Sequence, residues 1–278
     1  MKRSVEPEIN LRATLECGQV FHWTARPDGS WEGLIGDEFT AVRESGGRLA
    51  VLEGNEARCR DYFAMDHDLE GIYAGFPRDE TMLAALDFCR GLRIIRQPTW
   101  ECLATFITSS MKQVAHIRQM SRGLRQRFGR GVQGSHWRAY PEPERFAAAS
   151  EAELRACGLG YRAPNLRATA QLVASGEADL DAWRALDDGA LREKLCTLPG
   201  VGRKVANCVM LFGYGRLAAF PVDTWIARIL RTKYARRAKK ATPHALERRW
   251  AVRFGPHAGY AQQYLFHHAR SARGRPPQ

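Results

Sequence analysis

The turn Leu198-Pro-Gly-Val-Gly202, set between two apolar segments of helical period, constrains the fold of this chain more than any other stretch. Leu191, Leu195 and Leu198 mark the apolar face of a first helix, which Pro199 and the two glycines then break. Val205, Cys208, Val209 and Phe212 recur at helical spacing again, so a second helix begins near Gly202. The pair reads as a helix–hairpin–helix over about residues 187–214. A glycine-lined turn feeding a helix N-terminus presents unpaired backbone N–H groups to a phosphate oxygen, and it lets a nucleic-acid backbone approach without a Cβ clash. Leu198, Gly200, Gly202 and Arg203 are therefore the expected DNA grip, with Arg203 adding charge beside the turn.

Lys204 falls in the first turn of the second helix, where an ammonium opposes the helix dipole. Freed of its proton, such an amine is a usable nucleophile for Schiff-base chemistry. Cys208 lies one turn further along the same face. Asp223 follows Pro221-Val222 and precedes the periodic run Trp225, Ile226, Ile229 and Leu230, an N-cap or first-turn position. Backbone N–H bonds there are expected to keep its carboxylate ionised. An ionised carboxylate near a sugar can stabilise a developing oxocarbenium cation.

The chain, 278 residues and 45% hydrophobic, has enough length and apolar content for one or two packed domains. Its net charge of +12 is uneven: residues 1–70 hold 8 basic and 14 acidic residues, a net −6, leaving +18 for the rest. A positive field in the later chain suits a polyanion such as DNA, although anionic membranes or heparin-like polymers would attract it too. No run approaches the ~20 apolar residues of a membrane span, and Met1-Lys-Arg-Ser-Val-Glu-Pro-Glu8 lacks an apolar signal core. Seven scattered cysteines without paired spacing point to a reduced, intracellular protein, in cytoplasm or nucleoid if bacterial and in the nucleus if eukaryotic. No His, Cys and carboxylate set has convincing zinc spacing, so no metal is expected.

Residues 9–52 read as strands and turns: Val20, Phe21 and Trp23, the turn Arg26-Pro-Asp-Gly29, then Trp31, Phe39, Val42, Leu49 and Val51. From about residue 55 the pattern turns helical. Asn55 can cap a helix with Cys59, Tyr62 and Phe63, and Thr99 can cap a buried helix with Trp100, Leu103, Phe106 and Ile107. A further helix runs through Ile117, Met120, Leu124 and Phe128, and residues 129–143 are the clearest loop. Ser150-Glu-Ala-Glu153 is a capping box, and Gly158-Leu-Gly-Tyr-Arg162 is a glycine turn with an aromatic and a base at its tip. Nine basic residues stand against Glu247 alone in 231–253, as a solvated face or as added phosphate contacts.

The sequence Leu-Pro-Gly-Val-Gly-Arg-Lys-Val-Ala-Asn-Cys208 followed by Pro-Val-Asp223 resembles the helix–hairpin–helix–Gly/Pro–Asp DNA glycosylases, and among them the 8-oxoguanine DNA glycosylase/AP lyases. Further motifs are similar: Cys17-Gly-Gln-Val-Phe-His-Trp23, Arg96-Gln-Pro-Thr-Trp-Glu-Cys-Leu103, Phe106-Ile-Thr-Ser-Ser110, Gly158-Leu-Gly-Tyr-Arg162 and Gly259-Tyr-Ala-Gln-Gln-Tyr-Leu-Phe266. The resemblance implies that Gly18 discriminates 8-oxoguanine through its carbonyl. It also implies that Gln262 reads the base edge, that Phe266 stacks on the base and that Cys208 completes the pocket. Tyr161 is then a wedge in the duplex and Arg162 a contact to the unpaired partner base. Where the family has an asparagine run and then an arginine, this chain has Met111, Lys112, Gln113 and His116. Met111 can fill a gap but cannot read a Watson–Crick edge, so strict cytosine recognition is not expected. Trp225 replaces the family's phosphate-contacting histidine two places after the aspartate, and the absence of any cysteine after Cys208 separates the chain from the iron–sulfur branch.

The expected fold is α+β: a small N-terminal antiparallel β-sheet domain with flanking helices over 1–90, a mostly α-helical, two-lobed glycosylase body over 91–270 and a disordered tail over 271–278. The resemblance implies a monomeric enzyme without cofactor that takes double-stranded DNA containing an oxidised purine and acts away from membranes. Lys204 is the implied nucleophile and Asp223 its carboxylate partner. A related glycosylase for another damaged base, and a non-catalytic helix–hairpin–helix DNA-binding protein, are the alternatives.

Overall fold

A computed structural model describes residues 7–110, 112–234 and 241–272. It is α+β, with a small sheet near the N-terminus and a helical body. Asn10 caps α1 (Leu11–Glu16) by accepting the Ala13 N–H. Strands β1 (Thr24–Ala25), β2 (Trp31–Ile35), β3 (Glu38–Ser45) and β4 (Arg48–Glu53) then pair in sequence order as an antiparallel meander. At the Arg26–Gly29 turn, Gly29 takes φ +80° and the Asp28 carboxylate accepts from both the N–H and the hydroxyl of Ser30. The aspartate thus replaces a backbone acceptor, as Asx turns do. Trp23 lies against Gly33, where a Cβ would come within 2.6 Å of the indole. From α2 (Glu56–Tyr62), the Tyr62 hydroxyl accepts the Trp23 indole N–H at 3.1 Å, closing a small apolar cluster under the sheet.

The body consists of α3 (Leu69–Ala74), α4 (Glu80–Cys89), α5 (Thr99–Ser109), α6 (Val114–Phe128), α7 (Pro143–Ala148), α8 (Glu151–Ala156), α9 (Ala163–Ala174), α10 (Asp188–Cys196), α11 (Arg203–Phe212), α12 (Thr224–Ile229), α13 (Pro243–Phe254) and α14 (Ala258–Ala272). Both halves of the capping box form at Ser150 and Glu153, and Asn55 caps α2 through the Arg58 N–H. One cap is corrected. Pro98, extended at ψ 127°, precedes α5, while Thr99 is already helical and its hydroxyl is engaged by Arg184. Ser271 and Ala272 belong to α14, and the remainder of the expected tail lies outside the described residues. Among the described residues no helix is long and apolar enough to cross a membrane.

Two buried helices position the site. Every residue of α11 from Val205 to Phe212 is buried, and Phe106 of α5 stacks on Phe212 with centroids 5.5 Å apart. The early helices α3 and α4 pack on the late helix α14. There the Tyr73 and Tyr264 hydroxyls meet at 2.9 Å, and Tyr264 also donates to Leu92 O. Chain segments almost two hundred residues apart are thereby fixed together, which brings α14 beside the Gly18 turn.

Candidate active site

A cavity of about 50 Å³ lies between α5, α11, the entry to α12, α14 and the Gly18 turn. Lys204, Asp223, Cys208, Gly18, Gln262 and Phe266 all line it, so the structure brings together residues spread over 248 positions of sequence. Lys204 stands in the first turn of α11, half-buried, with its ammonium 5.4 Å from the centre of the Phe106 ring. That position is favourable for a cation and keeps the amine at the cavity wall.

Asp223 caps α12, its Oδ1 accepting the Ile226 N–H at 2.8 Å. The sequence led us to expect the cap bonds to set its charge state. Burial acts more strongly: it pushes the Asp223 carboxyl above its ordinary 3.8, against the pull of the Ile226 N–H and of Lys204. Burial also pushes the Cys208 thiol up, with Lys204 pulling the other way. A thiol held protonated is a weak competitor for electrophiles, so Cys208 serves here as wall.

Gly18 takes φ +86°, and a Cβ on it would lie 3.3 Å from Phe266 Cε1. The left-handed backbone favours glycine, and the ring leaves little room for a side chain. Gln262 is 4% exposed, and among the described residues its Oε1 has no hydrogen-bond partner. A buried acceptor left open at a cavity is a group awaiting a donor.

The DNA-facing expectations divide. Gly202 is exposed, with nothing within 4 Å of a built Cβ, which leaves the hairpin N–H groups approachable. Gly200, at φ +80°, is needed for packing instead: a side chain there would meet Asn165 at 2.9 Å and Ile107 at 3.2 Å. The Leu198 side chain is 4% exposed and packs in the core, so only its backbone is left to serve a grip. Arg203 stays partly exposed beside the turn but is paired. Its guanidinium forms a two-pronged pair with Glu247 of α13, at 2.8 and 3.1 Å, so much of its charge is committed within the fold.

Tyr161 is 59% exposed at the tip of its glycine turn, its hydroxyl accepting from Arg162 at 3.1 Å. Arg162 is not presented beside it. Its guanidinium is 4% exposed, donates to Ser110 O and Leu159 O, and lies 4.2 Å from the Tyr161 ring centre. In this structure Arg162 holds the end of α5 and braces the tyrosine rather than facing a partner base. His116 is exposed at the start of α6, and Met111 lies outside the described residues.

Sequence reasoning missed the supports of the Gly18 turn. Gln263 donates to Cys17 O at 2.9 Å, and Gln19 donates to Thr14 O and Arg93 O, each at 2.8 Å, while accepting the Ile95 N–H. Two adjacent glutamines on α14, one facing the cavity and one locking the turn, had no periodic signal to separate them. The buried set His22, Glu101 and Arg125 was missed as well. Burial pushes the Glu101 carboxyl up, but Arg125 and His22 beside it prevail and hold it at about 2.

Comparison with known proteins gives a consistent result. Residues 3–103 match the N-terminal domain of 8-oxoguanine DNA glycosylase, and residues 104–254 match the HhH-GPD superfamily of base excision DNA repair proteins. The chain is 32% identical to the probable N-glycosylase/DNA lyase of Methanothermobacter thermautotrophicus over 75% of this chain and 72% of that one. It is 31% identical to the N-glycosylase/DNA lyase OGG1 of Arabidopsis thaliana over 93% and 77%. Among solved structures, the Clostridium acetobutylicum 8-oxoguanine glycosylase/lyase, in complex with double-stranded DNA containing cytosine opposite 8-oxoG, superposes with TM-score 0.90. That pair is 28% identical and covers 96% of this chain and 93% of the other.

Proposed function

The chain belongs to the HhH-GPD superfamily of base excision DNA repair proteins, within it to the 8-oxoguanine DNA glycosylases, and from that premise we propose that it excises 8-oxoguanine from duplex DNA and cuts the strand as an AP lyase. The observation that carries this reading is the convergence of a lysine, an aspartate and an unpartnered glutamine oxygen on one cavity.

Each residue then has a role set by its surroundings. The Lys204 amine attacks C1′ of the sugar as the glycosidic bond breaks, and the bond electrons leave with the base, which gains a proton. Asp223, ionised, stabilises the cationic sugar and assists the proton transfers. Opening of the sugar ring gives a Schiff base on Lys204. Loss of a C2′ proton then expels the 3′ phosphate and nicks the strand. Gln262 Oε1 accepts from a donor on the purine's Watson–Crick edge, Gly18 lets the base approach its backbone, and Phe266 supplies the stacking plate. The cavity as found has room for one or two waters only. Gly18 and Phe266 both line it, and a purine, being larger than this space, enters only as the walls move apart.

Gly202 and the hairpin N–H groups hold the backbone phosphate, while Tyr161 enters the stack left by the extruded base. Met111 and His116 hold the sequence positions of the family's gap-filling and partner-reading residues, and Arg162 braces Tyr161. One chain carries all these groups, so a monomer suffices, and the substrate places the work wherever the cell keeps its DNA.

Duplexes with 8-oxoguanine opposite each of the four bases, assayed for base release and nicking, test the proposal. Release is expected well above that from undamaged guanine, with partners other than cytosine also processed. Release no faster than from guanine would end the reading, and cleavage confined to cytosine partners would end the account of Met111 and His116.

A further inference from the structure

A second and larger cavity, of about 470 Å³, opens between the sheet and α6 beneath the 129–143 loop. That size falls within the range of ~300–1,000 Å³ common to small-molecule sites. It is separate from the Lys204 cavity: Phe21 lines one and Phe106 the other, and their rings meet edge to face with centroids 6.1 Å apart. The covering loop is tied down by Arg130 on Asp37 at 3.1 Å and shaped internally by an antiparallel bridge between Gly131 and Arg138.

The chemistry of its walls is one-sided. Arg118, Arg122 and Arg125 of α6 line it, together with Trp31 of β2 and Trp137 and Arg138 of the loop. Among the described residues Arg118 and Arg122, one helical turn apart, make no ion pair. The two carboxylates on the same wall are already engaged, Glu32 by Arg26 at 2.7 Å and Glu16 by Arg12 at 3.2 Å. Among the described residues Arg118 Nε, Arg125 Nε and the Trp137 indole N–H have no acceptor, as is true of five other arginine Nε atoms elsewhere in the fold. Arg125 is only 4% exposed. What singles out this cavity is the set of arginine side chains beside the Trp31 and Trp137 indoles, a lining that suits an anionic, aromatic ligand.

We propose that this cavity is a nucleotide-binding site, with a phosphate on Arg118 and Arg122 and a base against Trp31 and Trp137. Guanidinium groups bind phosphate oxygens in pairs, and indole rings offer a sequence-tolerant face for a base. The occupant is a free mononucleotide or a nucleotide of a DNA strand bound to the protein.

Isothermal titration of the full chain with dGMP, dCMP and inorganic phosphate tests this. Saturable one-site binding of both nucleotides is expected, with phosphate alone at least tenfold weaker. The double variant Arg118→Gln/Arg122→Gln should weaken nucleotide binding at least tenfold. Trp137→Ala, which removes the indole face from the loop, should weaken it at least threefold and guards against a misfolded double variant. Binding should survive Gln262→Leu. Absence of saturable binding, binding unchanged in both variants, or binding lost on Gln262→Leu would each overturn the proposal, the last because it puts the ligand in the Lys204 cavity. Repeating the titration with undamaged duplex already bound assigns the source. Competition identifies a nucleotide of the DNA itself as the occupant, and independence identifies the free mononucleotide.

Discussion

Two acid–base pairs sit on neighbouring faces of α5, and they are finished differently. Glu101 and Arg125 are both buried, joined to each other and to His22, with Arg125 also donating to Arg138 O. Lys204 and Asp223 line a cavity instead, the lysine half-buried over Phe106 and the aspartate bonded to its own helix, with an open glutamine oxygen beside them. In the first pair the opposite charge overrides burial and holds the carboxyl low; in the second, burial overrides the opposite charge and raises it. Charges saturated within the fold contribute to its stability. Charges left incompletely matched at a cavity keep their capacity for a substrate.

The comparison fails if the two pairs respond alike to mutation. The largest separation is expected from Asp223→Asn, which should lower base release by about 10²–10⁴-fold, the span of positioned acid–base groups, while leaving the melting temperature near that of the parent. The wild-type rate should fall as pH drops through the raised Asp223 value, above 3.8, because the working form is the carboxylate. A rate flat across that range would remove Asp223 from the chemistry.

Arg125→Ala should do the reverse. Leaving buried Glu101 with only His22 beside it costs up to about 3–5 kcal/mol of stability, with base release per folded molecule retained. The sign follows from the depressed Glu101 carboxyl. Its stabilising contribution is complete above the ordinary 4.5 and is lost as pH falls from there through about 2. Acid unfolding followed by circular dichroism should show that loss in the parent and not in the variant.

A smaller effect is expected from Gln262→Leu. Stability should hold or rise slightly, since an unmet polar atom is removed, while the preference for 8-oxoguanine over guanine drops by about 1–3 kcal/mol of transition-state discrimination. Competition between lesion and plain duplexes measures it. The smallest is Arg203→Ala. With its guanidinium held by Glu247, it should change the log–log salt slope of DNA binding by well under the roughly one unit that a free phosphate contact contributes.

The catalytic corner was legible in sequence because its signals are local. Pro199, Gly200 and Gly202 punctuate two helical periods, and Asp223 stands where a cap must stand, so α10, α11 and α12 follow from spacing alone. What spacing could not convey was partnership at a distance. Arg203 lies beside the hairpin in sequence, yet its partner is 44 residues on. Arg162 adjoins the exposed Tyr161 but turns inward to Ser110, 52 residues back. The lock on the Gly18 turn spans 246 residues, from Gln263 to Cys17. A charged or amide side chain carries no local mark of whether it will face solvent or be consumed within the fold.

The central claim is that the Lys204 amine becomes covalently bound to the sugar. Incubation with 8-oxoguanine duplex in the presence of borohydride tests it directly. The account predicts a stable protein–DNA adduct in the parent chain and none in Lys204→Gln. An adduct of equal yield in that variant, or no adduct in a parent chain that still releases the base, would contradict it.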